Sequence, residues 1–302
     1  LTRVRSLKIG ENTFTGTLPV TIQGMTNLSV LGFQLTGFDG GFPTWVCDMT
    51  WLTSLQFGGN NYNGTLPTEI GNLKNLLSLQ FDSNLYSGPF PEVLFNLPHL
   101  EFLDMQFNLF TSTVPPSMAV FRNLSVLYIG GNLFEGSLPC ASIYQLTNIS
   151  VFNARNMILY GTIDGCFEAL NNITDIEIGD NMFSGNLPTF SKSLVVFIAY
   201  NNTFFGPLPT FRKSDRRALL RFCSIGLNYF TGPLPVDLVI APEMSFLAVN
   251  DNFLNGSLNL VPTEHSNLAQ IFLEDNLLTG SIPSVLANYS NLVEISLSGN
   301  FL

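Results

Sequence analysis

The chain has 302 residues, a formal net charge of −10, apolar residues at 46% and charged residues at only 11%. The acidic balance excludes a general nucleic-acid binder, which needs cations against phosphate. No apolar run approaches the ~20 residues that cross a bilayer as a helix; the longest, Leu194 to Tyr200, reads as a strand.

The elements, from the first onward, are copies of one another. Val4 opens a spacing that is clearest at Leu76 to Pro91, L-x-x-L-x-F-x-x-N-x-Y-x-G-x-F-P. With Leu76 as anchor, the same slot falls at Val4, Leu28, Leu52, Leu76, Leu100, Leu124, Ile149, Ile173, Leu194, Leu220, Met244, Leu268 and Leu292. The intervals are 24 residues, except for one of 25, one of 21 and one of 26. A fixed period of this length is the signature of a solenoid. The length would allow two ordinary domains. The unbroken repeat instead predicts one elongated domain, 1–302, of about thirteen repeats.

Counted from the anchor, slots +3 and +5 are apolar throughout, as in Leu55 and Phe57 or Ile271 and Leu273. Two inward residues with one between them is strand periodicity, so each repeat supplies one short strand that pairs in parallel with the next. Slot +8 is Asn in eleven repeats, with Thr36 and Met157 the exceptions. An Asn there can bond the backbone where the chain leaves the strand, groups that cost about 1–3 kcal/mol each if left dry. Slot +10 is aromatic in nine repeats, from Phe14 and Phe38 to Phe230, and predicts a stacked spine. Slot +12 is mostly Gly, which suits a bend with positive φ. Leu-Pro follows, as at Leu18-Pro19 and Leu66-Pro67, then apolar residues three apart, as in Ile70 and Leu73, which suit one helical turn.

These motifs resemble the leucine-rich-repeat family, in the 24-residue plant type found in receptor-kinase ectodomains, receptor-like proteins and polygalacturonase inhibitors. The resemblance covers the whole chain. It implies an α/β solenoid wound as a right-handed superhelix. The parallel sheet would lie on the concave face, with short helical turns and extended segments on the convex face.

In chain order, repeats one to six are regular apart from the second, where Thr36 takes the Asn slot and Asp39-Gly40-Gly41 crowds the bend. Repeat seven has Met157 in the Asn slot and repeat eight is short. Repeat nine is long, and its tail holds Arg212, Lys213, Arg216, Arg217 and Arg221, five of the twelve basic residues. That cluster is a solvated flank or a dock for an acidic polymer. Leu1 occupies the slot before an anchor, and the chain stops at Asn300-Phe301-Leu302, short of the Gly and Pro slots. Solenoids need polar end caps and none is visible, so a segment of a longer protein is expected.

Four Cys are present. Cys223 fills a core slot, and Cys47 has no partner in a neighbouring coil. Cys140 and Cys166 lie in adjacent coils at nearly matching slots. Stacked coils bring matching residues to roughly 5 Å, inside disulfide range, so they are a candidate bridge; the alternative is two unrelated thiols. Eight Asn-x-Ser/Thr sequons occur, at Asn27, Asn63, Asn123, Asn148, Asn172, Asn201, Asn255 and Asn288. Charged residues are scarce against about 25% in ordinary domains, and with the sequons this suits an extracellular glycoprotein.

Catalysis has little to stand on. His99 and His265 are in distant repeats, there is no nucleophile or phosphate-loop motif, and no cofactor or metal site is expected. Slots +2, +4 and +6 should face the open side of the sheet. In repeats five to seven they include Phe102, Asp104, Tyr128, Asn153 and Arg155. Further on they include Val196, Ile198, Tyr200, Phe222, Phe246 and Phe272. An apolar run on a water-facing sheet asks for a cover, so a protein, peptide or glycan ligand is expected there. The function expected first is recognition, as in a surface-receptor ectodomain. The alternatives are a filament built by end-to-end association and a secreted inhibitor of a wall-degrading enzyme.

Overall fold

The computed structural model describes residues 3–38, 41–168, 170–188, 192–209, 219–261 and 266–302. The expectations placed on Leu1, Asp39, Gly40, Arg212, Lys213, Arg216, Arg217 and His265 lie outside these residues. The chain divides into two compact units, Leu1–Ile149 and Ser150–Leu302, and both are built from the same coil.

In the first unit six parallel strands stack in order: Ser6–Lys8, Val30–Gly32, Ser54–Gln56, Ser78–Gln80, Phe102–Asp104 and Val126–Tyr128. Matching slots lie side by side, Leu31 on Leu55, Leu55 on Leu79, and Leu79 on Leu103. The second unit repeats this with Val151–Asn153, Asp175–Glu177, Val196–Ile198, Phe222–Ser224, Phe246–Ala248, Gln270–Phe272 and Glu294–Ser296. Slot +3 is sealed from water along the middle of both sheets, whereas slots +2 and +4 are mostly half-buried. That alternation sets one face to the core and leaves the other open.

Each strand stops after three residues because the chain turns sharply at slot +7. There φ is positive in every coil, from 50° to 65°, whether the residue is Gly59, Leu35, Phe107, Leu227 or Asp275. The slot +7 amide still donates to the next coil, as from Leu35 to the Gly58 carbonyl at 2.9 Å. For a non-glycine residue this conformation costs of order 1 kcal/mol.

The Asn that follows holds the turn. The Asn84 amide donates to the carbonyls of Phe57, Phe81 and Asp82 at 3.1–3.2 Å, and its Oδ1 accepts from the Tyr62 amide at 3.2 Å. The same four-way pattern recurs at Asn108, Asn132, Asn181, Asn202, Asn228, Asn252 and Asn276, all at most 9% exposed. Thr36 replaces only part of it: its hydroxyl lies 3.0 Å from both the Phe33 carbonyl and Asn60 Oδ1 and shares its one proton between them, while its backbone N–H donates to Asn60 Oδ1 at 3.1 Å.

Beside the ladder runs the aromatic spine. Phe110 stacks on Phe134 at 6.2 Å, Phe183 on Phe204 at 6.3 Å and Phe204 on Phe230 at 6.4 Å. In the first unit slot +5 adds a second column, Phe33–Phe57–Phe81, with ring centres 5.8 Å apart. Tyr62 and Tyr86 meet that column edge-on.

The expected helical turns are mostly 3-10. Val20–Gly24, Thr44–Asp48, Thr68–Asn72, Glu92–Asn96, Pro116–Val120 and Ser284–Asn288 are 3-10, while Cys140–Ile143 and Val236–Val239 are single α turns. Every one follows a proline, from Pro19 to Pro283. Proline holds the extended entry, and its carbonyl accepts the first helical bond, as from Ile70 at 3.2 Å. A three-residue apolar spacing is the natural period of a 3-10 helix, which is why Ile70 and Leu73 both reach the core.

Candidate functional site

The open face of each sheet carries the expected site residues, and the strand register decides which of them meet. In the first unit Phe102 and Tyr128 sit diagonally, ring centres 5.8 Å apart and edge to face. Asp104 follows Phe102 in the same strand and accepts from the Gln106 amide at 3.1 Å. Burial, and then the charge of Asp82 one coil back, push its carboxyl up to about 6, against those hydrogen bonds. Upstream, Gln34, Gln56, Gln80 and Asp82 line a cavity of about 210 Å³.

In the second unit the face begins polar. Glu177 stands between Asn153, which donates to it at 2.8 Å, and Arg155, paired at 3.7 Å. Burial raises the Glu177 carboxyl, and Arg155 partly offsets this. Tyr200 donates to Asp180 at 2.7 Å, so its hydroxyl titrates higher than usual. Its ring lies over Gly179, where a Cβ would come within 3.0 Å of it.

Beyond this the face turns apolar. Val196 pairs in register with Phe222, and Phe222 with Phe246. The Phe222 and Phe246 rings are stacked at 4.1 Å and 4°, and Phe272 joins diagonally at 5.5 Å from Phe246. Ile198 and Ala248 lie in the neighbouring row, with Ser224 between them. The result is three phenyl rings, half-buried in the open face of the sheet. Residue type alone does not single out Glu177, Asp180, Gln56, Gln80 and Asp82 as members of this face. Their slots, +4, +6 and +7, are the only signal in the sequence that could find them.

The eight sequon asparagines are all exposed. Asn123 and Asn148 donate to the carbonyls of Pro98 and Arg122 at 3.0 and 2.9 Å, and Asn201 donates to Asp180 at 2.8 Å. Cys140 and Cys166 are disulfide-bonded. Cys47 and Cys223 are free and buried, their thiols pushed up to about 12 mainly by desolvation. Arg221 pairs with Glu243 at 3.6 Å on the surface. Among the described residues no group of His, Cys, Asp and Glu is placed to hold a metal ion, and no helix is long and apolar enough to cross a membrane.

No protein-family model matches the chain, and no curated protein matches it. Solved structures do. The plant peptide hormone receptor RGFR1, in complex with RGF2, superposes with a TM-score of 0.86 at 26% identity, over 99% of this chain and 48% of that one. The chain is a leucine-rich-repeat protein. A TDR receptor matches this leucine-rich-repeat chain with a TM-score of 0.82 at 25% identity, covering 99% of it and 56% of the receptor. The leucine-rich-repeat ectodomain of the Arabidopsis receptor kinase HAESA, with an N-terminally extended IDA peptide hormone, gives 0.79 at 22% identity over 98% and 54%, a likeness of fold alone. This leucine-rich-repeat chain thus spans about half the length of the solved receptors it matches.

Proposed function

We propose that this leucine-rich-repeat chain is an extracellular recognition module of the surface-receptor kind, and that the open sheet face of its second unit binds the ligand. The observation that carries the reading is the apolar stripe of Phe222, Phe246 and Phe272 on an open sheet face. Core hydrophobes need no such outward stack, and a contiguous apolar patch left partly open to water marks a contact surface. The complex of RGFR1 with RGF2 supports a peptide as the ligand class. In this reading the rings take apolar side chains of the ligand, while Asn153, Arg155, Glu177 and Tyr200 supply directional bonds. The disulfide-bonded state of Cys140 and Cys166 suits an oxidising compartment, as do eight exposed sequons. The chemistry on this face binds and orients; among the described residues it offers no nucleophile–base pair, and we assign it no enzymatic activity.

The test is selection from a surface-displayed library of secreted-type peptides by the intact chain, repeated with Phe222, Phe246 and Phe272 all changed to Ser. Enrichment by the parent that the triple variant loses, at unchanged circular dichroism, supports the reading. Equal enrichment by both chains removes the concave stripe from the account.

A further inference from the structure

A second exposed apolar surface lies on the flank, where the short second strand of each coil runs. In the second unit Tyr229 is 52% exposed, Phe253 46% and Leu277 42%. They come from three successive strands, Tyr229–Gly232, Phe253–Ser257 and Leu277–Thr279, which pair in parallel. The Tyr229 and Phe253 rings are near-parallel, 10° apart with centres at 6.0 Å, and form an exposed two-ring platform. Within Phe253–Ser257 the side chains alternate, with Leu254 buried and Phe253, Asn255 and Ser257 exposed. Asn255 therefore stands on the same side as the platform, two residues or about 7 Å along the strand from Phe253. In register it lies directly opposite Leu277. Asn255-Gly256-Ser257 is a sequon.

We infer that Asn255 carries an N-linked glycan whose first sugar rests on Phe253 and Tyr229, so that the chain covers its own apolar flank with carbohydrate. An N-acetylglucosamine ring turns a face of C–H groups to one side and keeps its hydroxyls around the rim. The ring faces of Phe and Tyr carry negative charge density that attracts such C–H groups, and the sugar is about the size of one aromatic ring. Packing removes apolar area from water without burying a hydroxyl. The Asn255 amide makes no hydrogen bond among the described residues; when its Nδ2 bonds to C1 of the sugar, the C1–O bond to the pyrophosphate of a lipid-linked oligosaccharide donor breaks, the lipid pyrophosphate leaves and the amide proton passes to solvent, so no hydrogen bond of the protein is lost. A flat protein partner is disfavoured on this strip, because a branched glycan in its middle would hold that partner off.

The first unit contains its own comparison. Asn63 heads the sequon Asn63-Gly64-Thr65 and lies opposite Leu85 in register, the same relation as Asn255 to Leu277. No pair of stacked rings accompanies it among the described residues. A sugar there is expected to add solubility but little stability.

The inference rests on the extracellular reading above and concerns a different surface. Its test uses the full chain secreted from eukaryotic cells. Peptide mapping after glycosidase treatment should find Asn255 occupied. Ser257→Ala, which removes the glycan and leaves Asn255, should lower the unfolding midpoint by about 2–4 °C. The same change in a Phe253→Ser or Tyr229→Ser background should cost almost nothing. Trimming to a single N-acetylglucosamine should keep the stability, and complete removal should lose it. A bare Asn255 beside occupied Asn63 or Asn288 overturns the inference and leaves the recognition reading standing, as does an equal loss from Ser257→Ala in every background. If no sequon is occupied on the secreted chain, the inference falls, and peptide selection still decides the concave stripe separately.

Discussion

Changing Asn84 to Ala tests the coil-to-coil ladder most directly. Asn84 makes four contacts: its two N–H groups are shared among three carbonyls, and its Oδ1 accepts one bond. The losses are unequal. The Phe57 carbonyl keeps the Asn60 amide at 3.0 Å and the Phe81 carbonyl keeps the Asn108 amide at 3.1 Å, so both stay satisfied. The Tyr62 amide keeps no partner, because Asn84 Oδ1 is its only acceptor among the described residues. A buried donor without a partner costs about 1–3 kcal/mol, and the thinned bonds to the carbonyls add about 1 kcal/mol more. The expected loss is therefore about 2–4 kcal/mol. Asn12, exposed and bonded among the described residues only to Ile9 and Gly10 of its own coil, should lose less than about 1 kcal/mol as Ala. Asn84→Thr should fall between, since Thr36 shows that a hydroxyl in this slot still reaches the slot +5 carbonyl. Urea unfolding compares the three variants. Because repeat proteins can lose coils piecemeal, hydrogen exchange at the Tyr62 amide provides the local reading. If Asn84→Ala shifts the transition by under about 0.5 kcal/mol and leaves Tyr62 protected, the ladder is not what holds the turn.

Other substitutions probe the core and the open face. The Tyr86 hydroxyl is buried with no hydrogen-bond partner among the described residues, and burial raises its titration well above the ordinary range. Tyr86→Phe keeps the edge-on ring contacts to Phe57 and Phe81, so thermal stability should hold or rise by about 1 kcal/mol; a clear drop would reveal a partner for that hydroxyl. Asp104 titrates at about 6 in the folded chain, above its unfolded value near 3.9. Between those values the folded state holds more protons, so stability is highest below about pH 4 and falls as pH rises through 6. A carboxamide at this position carries no titrating proton, so Asp104→Asn should flatten this slope and gain about 1–2 kcal/mol at pH 7, allowing for partial exposure to water. Urea midpoints from pH 4 to 8 check this, and parallel slopes for the two chains would refute it.

Much of the architecture was legible because neighbours in this fold are copies 24 residues apart. Leu55 meets Leu79 and Phe183 meets Phe204 because like slots stack, so one-dimensional periodicity already states the three-dimensional contacts. The Asn slot was legible for the same reason, since an Asn repeated at a strand exit has backbone on both sides to bond. The turn at slot +7 was not legible. Glu11, Leu35, Phe107, Asp251 and Asp275 all adopt positive φ there and donate to the next coil but share no side-chain property, so the cross-coil hydrogen bonds impose the conformation. The 3-10 form of the helical turns was hidden too, because a three-residue apolar spacing fits either helix.

The amino-acid sequence by itself determined the period, the inward slots, the asparagine ladder and the prolines that open each helical turn, since each depends on residue type at a fixed distance along the chain. Only the tertiary structure decided that Phe222 lies flat on Phe246, that Glu177 sits between Asn153 and Arg155, and that Asn255 shares a flank with two stacked rings. Those meetings depend on side-chain direction and on strand register across coils, where stacking brings residues one period or more apart into contact.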